Sequence, residues 1–146
     1  MRTLVRLLAF VLVLVVVAPP PVAITTPHRV PDAKEIQGTW VGLFQRYRGA
    51  ALIELRPDGT GRCTQTTASD DTTLHRYVVE SWSLKNGKLS TRVRAATEGT
   101  PALQIEGTAF PEFLDVEMKV STTGAVRKFR AYRLSDVEAM LERLTQ

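Results

Sequence analysis

Between Gly38 and Leu134 the chain repeats one pattern, an apolar residue at every second position in short runs broken by turn-forming residues. Alternation of period two places the apolar set of a run on one face of a strand, leaving the other face for water. Ala51, Ile53 and Leu55 alternate with Leu52, Glu54 and Arg56, and Leu89, Thr91, Val93 and Ala95 alternate with Lys88, Ser90, Arg92 and Arg94. Leu103 and Ile105 alternate with Gln104 and Glu106, and Leu114, Val116, Met118 and Val120 alternate with Asp115, Glu117 and Lys119. Pro57-Asp58-Gly59, Asn86-Gly87 and Thr122-Thr123-Gly124 are hairpin signals, because Pro presets its backbone angle while Gly and Asn accept left-handed conformations. Tyr47-Arg48-Gly49-Ala50 and Ser69-Asp70-Asp71 read as two further turns. Turns this short join strands that run antiparallel to their chain neighbours.

The opening strand is Gly38-Thr39-Trp40-Val41-Gly42-Leu43-Phe44, where Trp40 and Phe44, an even number of positions apart, share a face as core residues. A return strand is expected from Thr60 to about Thr67, a long strand from Leu74 to Leu84, and a last strand from Ala125 to Leu134. The last carries Arg127, Lys128, Arg130 and Arg133, whose charges are expected to pair across with the acidic outer face of the preceding strand. Asp32 to Gln37 starts with a capping residue and has Glu35 three positions on, which predicts one helical turn before Gly38. Ser135-Asp136-Val137-Glu138 is a second capping box, ahead of Met140, Leu141 and Leu144, and predicts a short closing helix. The fold class is therefore all-β: an antiparallel up-and-down barrel of about eight strands with a short C-terminal helix, an open sandwich being the alternative.

Arg2 and Arg6 precede an unbroken apolar run from Leu7 to Ala18, the length of a signal-peptide core and short for a membrane span. Pro19-Pro20-Pro21 ends that run and Ala23 is the best small residue for cleavage. The organisation is read as 1–23 signal peptide, 24–31 extended linker and 32–146 barrel domain, exported to the periplasm or secreted. A leader left uncleaved would tether the same domain outside the membrane. Of the formal net charge of +4, two charges are Arg2 and Arg6, which leaves about +2 on the domain and argues against a nucleic-acid partner. Cys63 is the only cysteine, so no internal disulfide forms, and no cysteine follows the leader to accept a lipoprotein's lipid.

With Gly38-Thr39-Trp40 placed after a helical turn and before a meander and a final helix, the chain resembles the bacterial lipocalin-like small domains of the wider calycin group. The resemblance implies an eight-stranded barrel that holds a small apolar molecule. It also implies an arginine from the last strand packed on Trp40, to be sought among Arg127, Arg130 and Arg133.

No catalytic, metal or cofactor site is read from the residues. Cys63 and His75 are nearly equidistant from the Ser69-Asp70 turn and would face each other in a symmetric hairpin, but Asp70 and Asp71 lie too far along the ladder to orient an imidazole. His28 and His75 are the only histidines, too few for a zinc site. The expected function is an exported binding module for a small molecule or lipid, with the ligand at the end opposite Trp40 against Ile53, Leu55, Val93, Leu103 and Ile105. The alternative is an exported interaction or inhibitor domain working through a basic strand face such as that of Arg92 and Arg94.

Overall fold

A computed structural model describes residues 29–44, 49–66 and 74–146. Eight strands follow one another: β1 (Gly38–Phe44), β2 (Gly49–Leu55), β3 (Gly61–Thr66), β4 (Leu74–Lys85), β5 (Lys88–Ala95), β6 (Leu103–Ala109), β7 (Phe113–Val120) and β8 (Val126–Arg133), with helix α1 (Leu134–Leu144) last. Each strand pairs antiparallel with its chain neighbour, and β1 also pairs with β8, so the meander closes into a barrel. The alternation seen in the sequence is the inside and outside of that barrel. Trp40, Ile53, Leu55, Cys63, Val79, Leu89, Ile105, Leu114 and Met118 are buried in its interior. Outside, Lys128 pairs with Glu117 at 2.9 Å, Arg130 with Asp115 at 2.9 Å and Arg94 with Glu80 at 3.0 Å. A membrane-spanning barrel has the reverse polarity, an apolar outer band around a polar lumen.

The hairpin at Asn86-Gly87 takes φ values of 51° and 74°, both positive as a two-residue turn of matching twist requires. In β4 the register slips between Val79 and Ser81, a bulge that puts Tyr77 and Val79 on the inner face before it and Trp82 and Leu84 against the core after it.

Three expectations are corrected here. Gly49 and Ala50, expected in a turn with Tyr47 and Arg48, belong to β2, opposite Phe44 and Leu43; residues 45–48 lie outside the described set. The return strand expected from Thr60 to about Thr67 is present as Gly61–Thr66. Cys63 stands opposite Tyr77, while His75 stands opposite Gln65, because the β3–β4 pairing is offset from a symmetric hairpin about Ser69-Asp70; that turn itself lies outside the described residues. The Ser135 capping box is not made: α1 begins at Leu134 with Arg133 at its N-cap and no side-chain cap, and none of its residues is buried. By contrast the reciprocal bonds expected at Asp32 and Glu35 are present, at 2.8 and 2.9 Å, although the segment makes a turn without becoming a helix. Residues 1–28, the leader and most of the linker, lie outside the described residues.

Candidate functional site

The two ends of the barrel differ, and the difference starts with Trp40. Its indole N–H donates to the Ile36 carbonyl at 2.8 Å, which draws the 32–37 turn under the barrel, with Ile36 and Trp40 both fully buried. Arg133 lies over the Trp40 ring, 4.5 Å from its centroid, and donates to the carbonyls of Gln37, at 3.0 Å, and Glu35. Gly38, at φ 123°, takes a backbone conformation open to glycine as the chain swings from this turn into β1. Of the three arginines sequence reasoning left open, Arg133 is the one on Trp40. The hairpins at this end are tied together as well: Trp82 donates from its indole to the Arg56 carbonyl at 3.0 Å, and the Ala109 amide donates to the Gly87 carbonyl at 2.8 Å. Hydrogen-bonded backbone and a packed indole seal this end.

Toward the far end two seams part. Among the described residues β1 and β8 pair only through Trp40–Arg133, Val41–Tyr132 and Gly42–Ala131. Likewise β5 and β6 pair only through Lys88, Leu89 and Ser90 with Thr108, Gly107 and Glu106, and Thr91 reaches across by a hydroxyl bond of 2.7 Å to the Ile105 carbonyl. Both sets of pairs sit near the sealed end. Past Gly42 the β1–β8 seam is held by side chains, Phe44 meeting Phe129 edge to face at 4.9 Å. A cleft of about 880 Å³ opens there, with Val41, Leu43, Val126 and Tyr132 from the barrel wall and Val137 and Met140 from α1 on its sides. It reaches the inward-pointing Phe44, Arg127 and Phe129.

A chain of polar groups runs inward from that cleft. Arg127 donates to the Gln65 carbonyl oxygen at 3.1 Å, and the Gln65 amide nitrogen donates to the Tyr77 hydroxyl at 3.1 Å. Gln65 is 2% exposed and is the buried polar residue among the described ones. The Arg127 guanidinium stands 5.3 Å from the Phe44 ring centroid. Burial raises the Tyr77 phenol above its ordinary range, so the hydroxyl stays protonated at neutral pH. Burial also pushes the Cys63 thiol up to about 12, an inert group by that measure and far from a nucleophilic thiolate. Among the described residues no three His, Cys, Asp or Glu side chains gather as metal ligands would.

The residues expected at the ligand end are distributed along the barrel. Ile53 pairs with Trp40 and Leu55 with Gly38, which puts both at the sealed end and not at the far end where the ligand was expected. Ile105 is fully buried in mid-barrel opposite Met118. Leu103 and Val93 lie farther from Trp40, Leu103 beside Val120 and Val93 only half-buried beyond the last β5–β6 pair. Sequence reasoning missed Arg127, Gln65 and Tyr77 as a group. The signal was the phase of β8: Lys128 and Arg130 share the outer face, whereas Arg127 and Arg133 share the inner phase of Phe129 and Ala131. Lys128 and Arg130 make the expected cross-strand bridges, to Glu117 and Asp115 of β7.

The chain matches no protein-family model, no curated protein and no solved structure.

Proposed function

We propose that this chain is an exported binding module of lipocalin-like type, taking a small apolar or amphiphilic molecule at the end of the barrel away from Trp40. The observation that carries the reading is the asymmetry of the two ends: indole, turn and backbone bonds close one, while the β1–β8 and β5–β6 ladders stop short of the other. The cleft at the β1–β8 seam has the size of small-molecule sites, and its walls are mostly apolar with a few polar groups, the composition that binds by burial and selects by hydrogen bonding. The GxW-type start with Arg133 over Trp40 supports the lipocalin-like part of the reading. The apolar leader of the sequence supports export. No chemistry is assigned to the site.

Exposed Leu43, Tyr132, Met140, Leu141 and Leu144, gathered around α1 and its neighbouring strands, favour the second reading, an exported domain that docks a protein through this face. Native mass spectrometry of the protein purified from its own source separates the two. A retained mass of small-molecule size supports the binding module; a bare chain accompanied by a stoichiometric protein partner supports docking.

A further inference from the structure

We propose that the parted seam between β5 and β6 takes an extended peptide segment of a partner protein, one in which apolar and acidic residues alternate, paired as an added strand along the edge of β5. This seam is separate from the cleft between β1 and β8, and its occupancy does not depend on a ligand there.

Past the Ser90–Glu106 pair the two strands run on without a ladder between them, although each stays paired with its other neighbour. β5 holds β4 as far as the Ala96 amide, which donates to the Arg76 carbonyl at 2.9 Å, and β6 holds β7 as far as the Ala102 carbonyl, which accepts from the Ser121 amide at 2.9 Å. Both edges are therefore regular extended chain. Main-chain groups of a strand point to alternate sides. The Gly87 carbonyl accepts from Ala109 across the β5–β6 hairpin, whereas the Ala96 amide turns to β4, so the N–H and C=O of Val93 and Ala95 face the seam. Among the described residues two side chains reach into it: Thr91 donates its hydroxyl to the Ile105 carbonyl at 2.7 Å, and Arg94 donates to the Ala95 carbonyl at 3.4 Å. A row of alternating main-chain donors and acceptors is matched by another main chain, which is the chemistry of strand addition.

The side chains along this edge state which strand would fit. On the inner side Val93 and Ala95 are half-buried and Leu103 is buried, an apolar strip that apolar residues of an added strand would continue. On the outer side Arg92 and Arg94 are exposed at alternate positions. Arg94 bonds Glu80 at 3.0 Å, while Arg92 makes no ion pair among the described residues. Guanidinium groups on every second residue favour carboxylates on every second residue of the strand beside them. The same two arginines disfavour a second copy of this chain, because antiparallel pairing of two β5 edges about Val93 would set Arg92 of each copy against Arg94 of the other. The 96–102 connection, with Gly99 at φ 79°, is long enough to span the two strand spacings, ~9.5 Å, that an inserted strand needs.

The test uses the full-length protein and a fluorescein-labelled peptide of alternating valine and glutamate, about seven residues long, followed by anisotropy. It is compared with the same peptide carrying lysine for glutamate, and with the acidic peptide N-methylated at its central valine, since the inward residues are those whose N–H faces β5. The lysine peptide should bind about tenfold or more weaker, and the N-methylated peptide about tenfold weaker. Arg92→Glu, an exposed change checked by circular dichroism, should lower the affinity for the acidic peptide about fivefold or more and raise that for the lysine peptide. Amide hydrogen exchange at Val93 and Ala95 should slow when the acidic peptide is added. No binding of the acidic peptide overturns the proposal outright. Equal affinity for the acidic and lysine peptides overturns the acidic partner, and an N-methylated peptide that binds as well as its parent overturns main-chain pairing. Slowed exchange confined to β1 and β8 overturns the location.

Discussion

The guanidinium of Arg133, the last residue of β8, lies 4.5 Å over the ring of Trp40 near the start of β1. The same side chain donates to the carbonyls of Gln37 and Glu35, so one arginine joins the last strand, the first strand and the turn that plugs the barrel. It does so at the one pairing that connects residues far apart in sequence, β1 with β8, where no tight turn helps. Arg133→Ala should therefore cost about 2–4 kcal/mol, the sum of a desolvated cation–π contact and charged hydrogen bonds, and Arg133→Lys should recover only a part. Trp40→Ala should cost about 3–5 kcal/mol through the cavity it leaves. Urea denaturation measures both; a loss under about 1 kcal/mol at Trp40 would remove it from the sealed end.

Cys63 supplies a prediction with a pH sign. Its thiol ordinarily titrates at 9.0, and burial holds it protonated up to about 12. Between those values the folded state keeps a proton that the unfolded state has lost, so stability is full below pH 9 and falls as pH rises above it. The slope approaches about 1.4 kcal/mol per pH unit from this group alone. Cys63→Ala should flatten the decline, and what remains should begin nearer pH 10, where the raised Tyr77 phenol contributes in the same direction. Denaturation curves at pH 8, 9 and 10 for the two proteins decide it, parallel declines being the adverse result.

Helix α1 has no buried residue and packs mainly on β1 and β8 among the described elements. A chain ended after Ser135 keeps Arg133 and should lose no more than about 1 kcal/mol, with its β-type circular dichroism intact. Its affinity for a long-chain probe should fall, since Val137 and Met140 form one wall of the cleft. A loss above about 3 kcal/mol would make the helix part of the core.

Export is checked at the N-terminus. Cleavage after Ala23 should leave a mature chain beginning at Ile24, read by N-terminal sequencing of exported material. A chain that still begins at Met1 would be anchored by its leader.

Period-two alternation is a local property, and it was enough to place the strands within a few residues and to divide inside from outside for β2, β5, β6 and β7. Turn chemistry was equally local, which is why Asn86-Gly87 and Pro57-Asp58-Gly59 stand where hairpins turn. The sequence reading takes all four basic residues of the last strand as outward partners of the acidic strand before it, although Arg127 and Arg133 are in phase with the buried Phe129 and Ala131. Tertiary structure decided the rest, because pairing between strands depends on register and closure. It set Cys63 against Tyr77 in place of His75, moved the inner face of β4 by one residue at the bulge, and chose Arg133 over Arg127 and Arg130 as the partner of Trp40. It also put Ile53 and Leu55 at the sealed end and joined Gln65, Tyr77 and Arg127, residues from three strands, into one polar chain. A strand's own residues state which face is apolar; only the neighbour it pairs with, and how far along that neighbour it slides, determines which side chains meet.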